Sequence, residues 1–95
     1  MQCERVVFSG HAIQRMFQRG IGWDAVLAVV AHGQVVVEYA DDMPYPSQLL
    51  LGFVDARPLH VVAAIDDLTG TCIVVTAYQP RPEQWGADFR SRRTE

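Results

Sequence analysis

A chain of 95 residues has room for one domain, and at this size roughly 60–70% of the unfolded surface is buried, enough for one core without disulfides. A hydrophobic share of 49% with 20% charged residues excludes a disordered chain, and no apolar run approaches the roughly 20 residues that a membrane helix needs. The formal net charge of −3 excludes polyanion binding by bulk electrostatics, leaving only a local cationic site.

The N-terminus, MQCERVVFSGH, lacks a secretory h-region, because charged and polar residues interrupt it at once. Two cysteines, Cys3 and Cys72, are too few for a disulfide framework and read as reduced thiols of a cytoplasmic protein. After the apolar run Val6-Val7-Phe8, Ser9 reads as the N-cap of a helix from His11 to Arg19, closed by Gly20. Ile13, Met16 and Phe17 form its apolar stripe; His11, Arg15 and Arg19, each four residues from the next, form a second. A further helix from about Trp23 to His32 carries Trp23, Val26, Leu27 and Val30 on one face, and Gly33 ends it.

Beyond Gly33 the pattern changes to strands. The first runs Val35 to Tyr39, and MPYPS, with two prolines that cannot donate to a ladder, is a loop. Gln48 to Asp55 is the second strand, with Gly52 as a bulge candidate. Leu59 to Ile65 is the third and Thr71 to Tyr78 the fourth, joined by the hairpin loop at 66–70. Short connections make such strands pair antiparallel in sequence order. The expected fold is therefore α+β: two N-terminal helices packed on one face of a four-stranded antiparallel meander, in one domain over 1–95. The ordered body is expected over about 4–86, with Trp85 folded back, and the charged tail 87–95 is expected to fray. The expected core is Ile13, Met16, Phe17, Val26, Leu27, Val30, Leu50, Val61 and Val74, with Trp23 partly buried.

Four groups of residues could carry chemistry. The His11/Arg15/Arg19 stripe can hold a phosphate and supply a titratable proton, although by spacing alone it is equally the solvated face of an amphipathic helix. His60, in RPLHVVAAI, points with Val62 and Ala64 to one sheet face, where a structural histidine is as natural as a catalyst. Thr76 and Tyr78 share a face of the last strand, and Glu38 could act as base or pair with an arginine. The three histidines and two cysteines lack metal-ligand spacing, so no metal is expected. No phosphate loop, dinucleotide fingerprint, nucleophile elbow or Cys-x-x-Cys is present, and no cofactor is implied.

The stretches GHAIQRMFQRGI, GQVVVEYADDMPYPSQLLLG, RPLHVV and VVTAYQP together resemble the bacterial family called DUF4258, over roughly residues 8–85. More distantly the pattern resembles the RelE/BrnT-like toxins, compact helix-plus-sheet ribonucleases held inactive by antitoxins. Those toxins are usually basic and carry lysines at the active region; this chain is mildly acidic and contains no lysine. The resemblance implies a toxin of a bacterial toxin–antitoxin module that cleaves RNA without a metal, with an RNA substrate and a cognate antitoxin as partners. It implies His60 and His11 as acid/base partners, each contributing about 10²–10⁴-fold, because histidine titrates near neutral pH. Arg15 and Arg19 would hold the phosphoryl charge, Tyr78 would orient the phosphate or stack a base, and Glu38 would touch substrate. A non-catalytic protein-interaction domain is the alternative, and a third reading has His11 and the arginines weld helix to sheet. Monomer and homodimer both stay open.

Overall fold

The computed structural model describes residues 1–93. Its elements are β1 (Arg5–Phe8), α1 (Gly10–Arg19), α2 (Trp23–His32), β2 (Gln34–Tyr39), β3 (Ser47–Val54), β4 (Arg57–Asp66) and β5 (Thr71–Tyr78). The α+β class with two helices holds, and strands β2 to β5 follow one another as an antiparallel meander. The expectation of four antiparallel strands does not hold, because the sheet has five and is mixed, in the order β1-β5-β4-β3-β2. The run before Ser9 is a strand in its own right and pairs parallel with β5, Arg5 opposite Thr71 through Phe8 opposite Val74. At four residues it is too short to show a period-two pattern.

This extra strand also corrects the reading of the cysteines. Parallel pairing brings Cys3 beside Cys72, with Cα atoms 5.7 Å apart across 69 residues of sequence, and the two are joined as a disulfide.

Both helices feed one cluster. Ala12 and Met16 of α1, and Val26, Val29 and Val30 of α2, pack with Leu50, Leu59, Val61, Ala63, Val74 and Ala77 of the sheet. The expected core is right at Met16, Val26, Val30, Leu50, Val61 and Val74, and wrong elsewhere: Ile13 is 57% exposed, Phe17 89%, Leu27 38% and Trp23 66%. The reason is helix rotation. Ser9 caps α1 by accepting from the Ala12 amide, and its own amide donates to Val74 O at the sheet edge, which pins the first turn. The inward stripe of α1 is then Ala12–Met16, and Arg19, three residues further, is turned toward the same edge.

In α2 the inward residues are 26, 29 and 30, and Gly52 makes their approach possible. A Cβ on Gly52 would lie 2.7 Å from Val29 Cγ2. Gly52 therefore marks close helix–sheet contact, and the bulges lie elsewhere, between Val35 and Val37 and between Val62 and Ala63. The tail expected to fray is folded: the Gly86 amide donates to Ser91 O at 2.7 Å and the Arg93 amide to Gln84 O at 2.8 Å. The last two residues of that tail lie outside the described residues. Among the described residues no helix is long and apolar enough to cross a membrane.

Candidate functional site

Alternation along β4 sends Leu59, Val61 and Ala63 into the core, so His60 points to the sheet face away from the helices. There it lies in register between Leu51 of β3 and Tyr78 of β5. It is fully buried. The segment after β5 covers it: the Trp85 ring stands perpendicular to the imidazole at 4.5 Å, and Phe89 O lies 2.8 Å from Nε2. Nδ1 is 3.3 Å from the Tyr78 hydroxyl.

These contacts fix the tautomer. A carbonyl can only accept, so Nε2 carries the proton and donates to Phe89 O. Nδ1 is then the acceptor, and the Tyr78 hydroxyl donates to it. Burial lowers the His60 pKa below its ordinary 6.5, and the Phe89 carbonyl opposes this in part, so the ring is neutral at pH 7. The Tyr78 phenol is raised, first by burial and then by the Tyr39 phenol, while Arg92 and Arg19 pull it back. The Tyr78–His60 pair is thus a neutral, hydrogen-bonded dyad with two guanidiniums nearby.

Tyr78 is only partly buried. It lines a cleft of about 480 Å³ with Arg19, Gln79, Arg81 and Gln84 at the end of β5. β1 pairs only with residues 71–74, which leaves the last half of β5 unpaired on that side, and Arg19 Nη1 fills in by donating to Ala77 O at 2.8 Å. Arg19 therefore does what the welding reading expects of it, yet remains solvent-exposed in the cleft wall.

Of the residues singled out from the sequence, Arg19, Tyr78 and His60 come together. His11 and Arg15 do not line the cleft: His11 is exposed on the first turn of α1, and Arg15 donates to Gln18 Oε1 at 3.1 Å. Glu38 accepts from Gln48 Nε2 at 3.3 Å and lines a different hollow, with Tyr39, Asp41, Asp42 and Ser47, at the opposite end of the sheet. Thr76 sits two register steps from Tyr78, opposite Val62, and is not among the residues lining this cleft. Among the described residues no group of three His, Cys, Asp or Glu is placed to hold a metal ion.

Sequence reasoning missed Arg81, Gln84, Phe89 and Arg92. Arg81 had a usable signal: it sits between Pro80 and Pro82, whose fixed φ holds it close behind Tyr78. Phe89 and Arg92 had none, because they reach the site through a loop that only the tertiary fold brings back.

Fold and site together define a small mixed-sheet α+β domain in which a buried histidine is paired with a part-exposed tyrosine that opens onto an arginine-lined cleft. The sequence profile of DUF4258, described only as a domain of unknown function, matches residues 8–79, and the chain belongs to that family. No curated protein and no solved structure matches the chain.

Proposed function

We propose that the chain is the toxin of a bacterial toxin–antitoxin pair, a metal-independent endoribonuclease of RelE/BrnT-like kind that acts on RNA in the cytoplasm and is restrained by a cognate antitoxin. The observation that carries this reading is the Tyr78 hydroxyl, donated to His60 Nδ1 at 3.3 Å on one side and open to a cleft walled by Arg19 and Arg81 on the other. Each arginine offers a planar fork suited to a phosphodiester oxygen pair.

The ribose 2′-oxygen attacks phosphorus, and the P–O5′ bond breaks, leaving a 2′,3′-cyclic phosphate and a 5′-hydroxyl. The proton of the 2′-hydroxyl passes to Tyr78 as Tyr78 passes its own to His60 Nδ1. Arg19 and Arg81 hold the charge growing on the non-bridging oxygens. The departing 5′-oxygen takes its proton from water in the open cleft, while His11 and Arg15, which lie on α1 outside that cleft, would contact the RNA backbone further along the same helix stripe. In the cytoplasm Cys3 and Cys72 would be kept as thiols by cellular reductants.

One observation favours the non-catalytic alternative. His60 has no exposed surface and both ring nitrogens are engaged, as in a purely structural residue. Inducible expression in a bacterial host with transcript-end mapping separates the two. Wild type should arrest growth and leave 5′-hydroxyl ends, Tyr78→Phe should lose at least about 10²-fold of the cleavage while keeping its fold, and Arg19→Lys should be crippled. A wild type that is harmless and inert on RNA, with and without ribosomes, leaves the interaction domain as the function.

A further inference from the structure

The segment after β5 contains no helix, yet it is closed on itself. Trp85 and Arg92 form an antiparallel bridge, Arg93 Nε donates to Trp85 O at 2.6 Å, and the Arg92 guanidinium lies 5.3 Å over the Trp85 ring. At its tip the Asp88 carboxylate accepts from the amides of Arg90 and Ser91, which holds it below the usual carboxylate range.

This closed loop meets the sheet through few groups: the Trp85 ring on His60, the Phe89 carbonyl on Nε2, and the Phe89 ring edge-on to Phe53 at 6.5 Å. Phe89 holds φ at +57°, a left-handed conformation that costs a bulky residue about 1–3 kcal/mol and persists only where the surroundings enforce it. The strained residue is the one that covers the histidine. The family match covers residues 8–79, and the cover lies beyond that span.

We propose that residues 80–93 form a releasable strap that controls access to the His60–Tyr78 pair from the open face of the sheet. The proposal rests on the reading of that pair as the RNA-cleaving centre. Trp85 and Phe89 occupy the aromatic floor of Phe53, His60 and Tyr78, where unpaired bases would otherwise stack. Arg92 and Arg93, which hold the loop closed through Trp85, carry guanidiniums of the kind that pair with phosphate. An RNA backbone that pairs with them removes the closing contacts, so it binds the open state better and shifts the population toward it.

The test uses the full chain as wild type, as Trp85→Ala, and as Arg93→Ala, whose exposed site spares the core if the first variant folds poorly. Diethyl pyrocarbonate modification is mapped by mass spectrometry, with exposed His11 and His32 as internal references, and cleavage of a single-stranded oligouridylate is followed in parallel. His60 should be protected in wild type. Its modification rate should rise about tenfold in the variants, the scale of losing one hydrogen bond. Cleavage should rise with it. An unchanged His60 rate in both variants overturns the strap, and so does a wild-type rate equal to that of His11. Release of His60 with an unchanged, measurable cleavage rate overturns its control of catalysis. Release of His60 with no cleavage by any of the three proteins supports the strap as a cover and sinks the ribonuclease reading instead.

Discussion

His60 should make the domain acid-labile in a window set by a single imidazole. Burial disfavours its charged form, so its folded pKa lies below 6.5, the value that the unfolded chain approaches. Above 6.5 the ring is neutral in both states and the folded state loses nothing. As pH falls below 6.5 the unfolded chain takes up a proton that the folded chain refuses. Stability then declines by up to about 1.4 kcal/mol per pH unit, and the loss levels off once the folded-state pKa is passed. Near pH 5.5 the accumulated loss is about 1.4 kcal/mol if the folded ring is still neutral, a visible part of the roughly 5–14 kcal/mol expected of a domain this size. Urea unfolding followed by circular dichroism across about pH 5 to 8 measures it, with His60→Gln as the comparison. Only the difference in slope is read, so the lower absolute stability of the variant does not matter. His11, His32 and the carboxylates are common to both proteins and cancel. Equal slopes in the two proteins below pH 6.5 would refute the buried neutral imidazole, and with it the tautomer argued for the dyad.

Leu50→Ala, at a site with no exposure, should cost about 2–5 kcal/mol in urea unfolding, whereas Leu27→Ala, 38% exposed and leaving no sealed cavity, should cost about 1–2 kcal/mol. Equal costs would mean that α2 is rotated from the position described. Asp55 and Ala56 form the β3–β4 turn with φ of 52° and 64°, so Ala56→Gly should stabilise by about 0.5–1 kcal/mol, and a destabilised variant would contradict that turn. Reducing Cys3–Cys72 reopens a 69-residue loop, and the chain-entropy relation puts the loss at about 4 kcal/mol; a melting temperature indifferent to reductant would contradict the pairing.

Much of the fold was legible because local signals carried it. Ser9, Gly20 and the proline pair after Tyr78 placed the boundaries of α1 and β5, and period-two runs placed the meander. Helix rotation was not legible. On α1 the residues 13, 16 and 17 are as apolar a stripe as 12 and 16, and the choice is made by the sheet edge that Ser9 grips. The fifth strand escaped because four residues carry no periodicity and its partner lies 66 positions away, as Arg5 and Thr71 show. For the same reason the cysteines looked unpaired. At the site, spacing correctly put His11, Arg15 and Arg19 on one helix face, but a face does not say which turn meets the sheet, and only Arg19 does. His60 was legible as a residue of the open face; its cover was not, because charge along RSRRTE reads as solvation, and only the fold shows Trp85 and Phe89 anchoring the segment up to Arg93.

The net charge of −3 counted against a polyanion ligand, and the fold changes the weight of that argument. Strand direction sorts many of the charges, with Asp55 beside Arg57 and Arg5 opposite Thr71 as exceptions at either end. Glu38, Asp41, Asp42, Asp66 and Asp67 lie at the end of the sheet where β4 finishes and β5 begins, and Glu4 joins them through its amide on Gly70 O. Arg57 opens β4 at the other end, where Tyr78 closes β5 and Arg19, Arg81 and Arg92 gather around it. The eight residues of β5 separate the two ends by roughly 23 Å, against a Debye length of about 8 Å at physiological salt. A phosphate at the Tyr78 cleft is therefore screened from most of the acidic end and responds to the guanidiniums beside it. On the ribonuclease reading, the acidic end would lower the pull on RNA at long range, so association should be slower than for a uniformly basic protein, while contact affinity is set locally. Net charge, in this chain, bears on the rate of encounter far more than on whether the cleft can hold a phosphate.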